Sequence, residues 1–66
     1  MNLSEVIKTR RRTLGISQID LSEMSGVALA TIEDIERGKG NPSMGTVSKI
    51  MDILGMEILF KVRQTV

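Results

Sequence analysis

The chain has no cysteine and no histidine. Those two absences remove disulfides, thiolate nucleophiles, imidazole bases and the side chains that transition metals bind most readily. What remains for chemistry is carboxylates, hydroxyls and amines. Long apolar runs are also missing: none approaches the ~18 residues of a membrane span, and the segment from Met1 to Arg12 is too polar for a secretory signal. A cytoplasmic location with no membrane partner is therefore expected. An excess of one charge is missing too, because nine Lys and Arg against eight Asp and Glu leave a net charge of +1, short of the strongly basic balance of many nucleic-acid-binding domains.

What is there suits one small folded domain. Apolar residues make up 41% and charged residues 26% of the 66 positions, which argues against disorder. A chain this short buries only ~60% of its unfolded surface. It leaves little room for a substrate pocket on the order of several hundred Å³. A binding protein with no cofactor, no metal and no catalytic residue is the expectation, and an enzyme fails on residue inventory.

Periodicity divides the chain into four helices and a tail. Leu3, Val6, Ile7 and Leu14 follow helical spacing, with Asn2 as a cap and Gly15 as a stop, so a first helix is predicted over Leu3 to Leu14. Ser17 with Asp20 three residues on resembles a capping box opening a short second helix, whose apolar side is predicted from Ile19, Leu21 and Met24. Gly26 breaks it. A third helix is predicted from about Ala28 to Arg37, with Ile32 and Ile35 plus Leu29 or Ala28 at helical offsets and Gly38 as its stop. After the loop Gly38-Lys39-Gly40-Asn41-Pro42, Ser43 caps a fourth helix with Met44, Val47, Ile50, Met51 and Leu54 on its core face, ended by Gly55. Met24, Met44, Met51 and Met56 read as packing residues. The glycines around Lys39 lack the spacing of a phosphate-binding loop.

The tail changes period. Met56, Ile58, Phe60 and Val62 alternate with Glu57, Leu59, Lys61 and Arg63, the two-residue rhythm of a strand. A single strand leaves unpaired backbone groups that invite a second copy. Homodimerisation through antiparallel tails, using Met56, Ile58, Leu59, Phe60 and Val62, is thus expected, with a disordered end or a fifth helix as alternatives. The chain divides accordingly into a globular part, 1–55, and a tail, 56–66.

Charge is distributed unevenly, with Lys8, Arg10, Arg11 and Arg12 near the start and Asp20, Glu23, Glu33, Asp34 and Glu36 in the middle. Arg10 and Arg12 are candidates for phosphate or solvent. The second and third helices, separated by a glycine turn, have the spacing of a helix-turn-helix. In such a unit the second helix presents its N-terminal side chains to base edges in the major groove. By pattern alone, a plain pair of antiparallel helices that binds nothing is the better account of the spacing.

Four motifs in order narrow the choice: Ser17-Gln18, Gly26-Val27, Ile35-Glu36-Arg37-Gly38 and Asn41-Pro42-Ser43. Together they resemble the phage repressor and Cro-like (Xre-type) helix-turn-helix domains over roughly Val6 to Gly55. The tail Gly55-Met56-Glu57-Ile58-Leu59-Phe60 is similar to that of HipB-type antitoxins. The resemblance implies a mainly α, compact, four-helix, lambda-repressor-like domain with a short C-terminal β-strand pairing between protomers. It implies a DNA-binding transcriptional regulator, a repressor or autoregulator, acting as a homodimer on a palindromic site in double-stranded DNA.

Position by position, the resemblance assigns Gln18 to a phosphate contact and to bracing a side chain of the recognition helix. Ala28, Leu29, Ala30, Glu33 and Asp34 match groove-facing positions, where small apolar groups suit a thymine methyl and carboxylates suit cytosine N4. Thr31 and Arg37 match backbone contacts. Lys39 and Asn41 match the loop that anchors the DNA backbone, although plain turn chemistry explains them equally well. Arg11 and Glu36 match a structural salt bridge beneath the unit. The alternative function is an antitoxin whose main role is to bind and neutralise a partner toxin protein.

Overall fold

Asn2 starts the first helix by accepting the Glu5 backbone N–H at 3.0 Å, which satisfies one of the donors that a helix start leaves free. The computed structural model describes residues 2–64; the outermost positions of the two expected segments, 1 and 65–66, lie outside them. Helix α1 spans Leu3–Thr13, and Arg10, Arg11 and Arg12 crowd its last turn, where the helix dipole favours positive charge. Helix α2 spans Gln18–Ser25 and opens on a complete capping box: the Ser17 hydroxyl accepts the Asp20 N–H and the Asp20 carboxylate accepts the Ser17 N–H. Helix α3 spans Leu29–Glu36, and α4 spans Met44–Leu54 behind a Ser43 cap.

The four helices pack as one body, α1 and α2 each lying against both α3 and α4. Their shared core consists of Ile7, Leu21, Val27, Ile32, Ile35, Val47, Ile50, Met51 and Leu54. Val27 is part of it although it sits in a turn, so the connection between α2 and α3 is fastened from below. Among the described residues no helix is long and apolar enough to cross a membrane.

Four expected core residues are not in the core. Ile19, Met24 and Met44 are more than half exposed. In α2 the inward stripe runs through Gln18, Leu21, Ser22 and Ser25, each buried or half-buried; at ~100° per residue, Ile19 and Met24 fall on either flank of that stripe. Serines occupy inward positions because they bind the backbone there. Met44 is the first residue of α4, ahead of the first buried position, Val47. Leu14, placed on the first helix's apolar face by its spacing, lies beyond the last helical turn and is exposed.

The expected strand is corrected as well. Among the described residues none forms a strand, and 56–64 run without regular structure. A strand is defined by a ladder of hydrogen bonds to a neighbour, and a single tail cannot make one with itself. The two-residue alternation survives only at the start, where Met56 and Ile58 pack half-buried against the core. Leu59, Phe60 and Val62 leave that surface and are 82%, 84% and 90% exposed.

Candidate nucleic-acid interface

The turn between α2 and α3 is built from short side chains. Gly26 ends α2 with φ 75, ψ 11, a left-handed conformation that residues with a Cβ rarely adopt. The Ser22 hydroxyl donates to the Val27 carbonyl at 2.6 Å and the Ser25 hydroxyl donates to the Leu21 carbonyl at 2.6 Å, while Ser25 Oγ accepts the Val27 N–H at 3.2 Å. These bonds and the buried Val27 side chain hold α3 at one angle to α2. Hydropathy spacing passes over the two serines because they are polar, although Ser22 and Ser25 lie four residues after Gln18 and Leu21, offsets that share one helix face.

Helix α3 starts without a side-chain cap at Ala28. Ala28 and Ala30 are exposed; Leu29, Thr31, Glu33 and Asp34 are half-buried. The structure thus places the expected groove-facing residues on α3 and its N-cap, Ala28 and Ala30 exposed and the others half-buried. Arg37 caps the far end and reaches back to Asp34, Nη2 to Oδ1 at 3.0 Å, in an exposed ion pair. Lys39 and Asn41 are exposed in the loop that follows, and the Lys39 backbone N–H donates to the Asp34 carbonyl at 2.8 Å. Arg37, Lys39 and Asn41 therefore cluster at the C-terminal end of α3, while Gln18 stands at the start of α2.

Beneath this surface lies a buried ion pair. Arg11 donates to Glu36 through both Nε (to Oε2, 2.7 Å) and Nη2 (to Oε1, 2.9 Å), and its Nη1 donates to the Ile16 carbonyl at 2.9 Å. The side chains are 11% and 3% exposed. Gln18 Nε2 donates to the same Glu36 Oε1 at 3.1 Å, and Ser4 Oγ donates to the Glu36 carbonyl at 2.6 Å. Burial pushes the Glu36 carboxyl up, but bonds from Arg11 and Gln18 and the charges of Arg11 and Lys8 outweigh it and leave it below its ordinary value. The bond to Glu36 raises the Arg11 guanidinium against the opposing effect of burial. Both directions keep the pair ionised.

Arg10 is not the free arm that its place in the sequence suggests. Its Nε donates to the Leu54 carbonyl at 2.9 Å, so it closes the C-terminal end of α4; orphan carbonyls at a helix end attract such a donor. Arg12 is exposed. Among the described residues no group of three or more acidic side chains is arranged to hold a metal.

The profile of the helix-turn-helix family matches residues 7–60, which takes in all of α2, α3 and α4 and most of α1. The chain belongs to the helix-turn-helix family. Within it, this Xre-type helix-turn-helix domain is 29% identical over 58 residues to an immunity repressor protein of Bacillus phage phi105, covering 88% of this chain and 40% of that protein. Over 47 residues it is 45% identical to an uncharacterized HTH-type transcriptional regulator of Haemophilus influenzae, covering 71% and 48%. A third relative, an uncharacterized HTH-type transcriptional regulator of Methanothermobacter thermautotrophicus, is 36% identical over 52 residues, 79% of this chain and 75% of its own. The match thus spans less than half the length of the first two relatives.

Proposed function

We propose that this helix-turn-helix domain is a sequence-specific transcriptional regulator, a cytoplasmic repressor or autoregulator that binds a palindromic operator in double-stranded DNA as a homodimer. The observation that carries the reading is the serine-braced turn that sets α3 on α2 with Ala28 and Ala30 exposed at its start, in a chain of this family. Helix α3 enters the major groove. Ala28, Leu29, Ala30, Glu33 and Asp34 read base edges there, small groups against thymine methyls and carboxylates against cytosine N4. Gln18, Thr31, Arg37, Lys39 and Asn41 hold phosphates. In this reading residues 1–55 bind DNA and 56–66 dimerise, with Met56, Ile58, Leu59, Phe60 and Val62 at the tail interface and half-sites ~34 Å apart. The near-complete exposure of Leu59, Phe60 and Val62 supports that role.

Fluorescence anisotropy with labelled duplex across a salt series tests the reading. Log affinity falls linearly with log salt if phosphates are neutralised on binding; a flat response contradicts it. A second reading, an antitoxin that neutralises a toxin protein, is favoured by the acidic Glu33 and Asp34 on α3 together with the exposed tail. A stable complex on co-expression with the product of an adjacent gene supports that reading, and its absence removes it.

A further inference from the structure

Glu36 is the last residue of α3 and Gln18 the first of α2. The bond between them at 3.1 Å ties the two ends of the helix-turn-helix together. A carboxylate only accepts hydrogen bonds, so it selects one orientation of the Gln18 amide: Nε2 faces Glu36 and Oε1 faces away. One Nε2 hydrogen is used in this bond. The other, and Oε1, have no protein partner among the described residues. Gln18 is held from its backbone side as well, because the capping box fixes the turn that carries it.

Charge decides what this amide can meet. A bare carboxylate one hydrogen bond away would repel a phosphate, but Arg11 grips Glu36 through two bonds and cancels its charge. The free amide hydrogen is thus offered to an anion beside a neutralised pair, on a side chain whose freedom is already restricted. A flexible glutamine would have to be ordered at the moment of binding, which lowers affinity.

We propose that Glu36, clamped by Arg11, is a positioning residue for DNA binding: it orients the Gln18 amide so that its free hydrogen is delivered to a backbone phosphate. The inference rests on the DNA-binding reading of α2 and α3. It gives the buried ion pair a second task beyond holding the helices together.

A double-mutant cycle in the full chain tests it. The probe is a fluorescein-labelled duplex of mixed sequence at low salt, since a phosphate contact does not depend on base identity. Four proteins are compared: the unaltered chain, Gln18→Ala, the joint replacement Arg11→Met with Glu36→Leu, and all three changes together. Replacing both ion-pair partners by apolar side chains removes the anchor while keeping packing. The expected result is that Gln18→Ala weakens binding about tenfold in the unaltered chain and scarcely at all where the anchor is gone. An equal loss in both backgrounds overturns the proposal, because a purely structural ion pair leaves the contribution of Gln18 unchanged.

Nitrogen-15 relaxation of the Gln18 side-chain amide in the free, unaltered protein gives a readout independent of the variants' folding. An amide as rigid as the α2 backbone supports the tether, and one moving freely overturns it. If the unaltered chain binds no duplex at all, the DNA-binding reading fails and the proposal with it. A cycle that is additive in a protein that does bind overturns the proposal alone.

Discussion

Arg11 and Glu36 meet side-on through two parallel hydrogen bonds of 2.7 and 2.9 Å across 25 residues of sequence, joining the last turn of α1 to the end of α3. Removing one member leaves the other buried and uncompensated. Arg11→Ala or Glu36→Ala is expected to destabilise the domain by ~3–5 kcal/mol, while the joint replacement Arg11→Met with Glu36→Leu stays near neutral. Denaturant unfolding of the three variants checks this. A single replacement as stable as the joint one would show that the pair is not desolvated in solution.

Acid should weaken the domain through the same residue. The Glu36 carboxyl lies below its ordinary value of 4.5 in the folded chain, so the unfolded state takes up its proton first as pH falls. Its contribution is therefore complete above about pH 4.5 and is lost as pH drops through the folded value. Asp20 acts in the same direction, its carboxyl lowered by the bonds from the Ser17 backbone and hydroxyl. Urea midpoints measured from neutral to acid pH are expected to decline below that point, and to decline less in the protein carrying Arg11→Met and Glu36→Leu.

The turn between α2 and α3 has its own test. Gly26→Ala places a Cβ at φ 75, and is expected to destabilise by ~1–2 kcal/mol. Nothing lies within 4 Å of the added carbon, so the loss comes from backbone strain and not from a clash. Thermal unfolding reads it.

In the proposed reading, substitutions at surface residues distinguish phosphate contacts from base contacts. Lys39→Ala should lower the slope of log affinity against log salt by about 0.9 if it neutralises one phosphate. Gln18→Ala, which removes no charge, should leave that slope unchanged while weakening binding. Asp34→Asn frees Arg37 from its exposed partner, and is expected to tighten binding to duplex of any sequence while reducing discrimination between sequences. Anisotropy titrations on operator and mixed-sequence duplex distinguish these outcomes.

Tail pairing predicts that Phe60→Asp leaves a folded monomer. Phe60 is 84% exposed in the single chain, so the change has little to disturb within one protomer. Light scattering that still reports a dimer would move the interface elsewhere.

Much of this fold is written locally. Ser17 with Asp20, Gly26, and the spacing of Ile32 with Ile35 or Val47 with Ile50 and Leu54 each determine a feature within a few residues, and those features stand where the sequence predicts. Features that depend on distant partners are harder to read. Arg10 resembles any basic surface residue until Leu54, 44 positions away, offers it a carbonyl. Ser22 and Ser25 look like solvent-facing residues until the turn draws their hydroxyls inward, and this displaces Ile19 and Met24 to the flanks. The tail alternates like a strand because alternation records which side chains prefer to be covered. It does not record what covers them, and among the described tail residues only Met56 and Ile58 find cover.

Sequence-specific DNA binding is tested by a selection on fragmented genomic DNA, with the purified protein at moderate salt and the retained fragments sequenced. Enrichment of a two-fold symmetric motif with half-sites about one helical turn apart is expected. A folded protein that retains no sequence above the unselected background would contradict sequence-specific DNA binding.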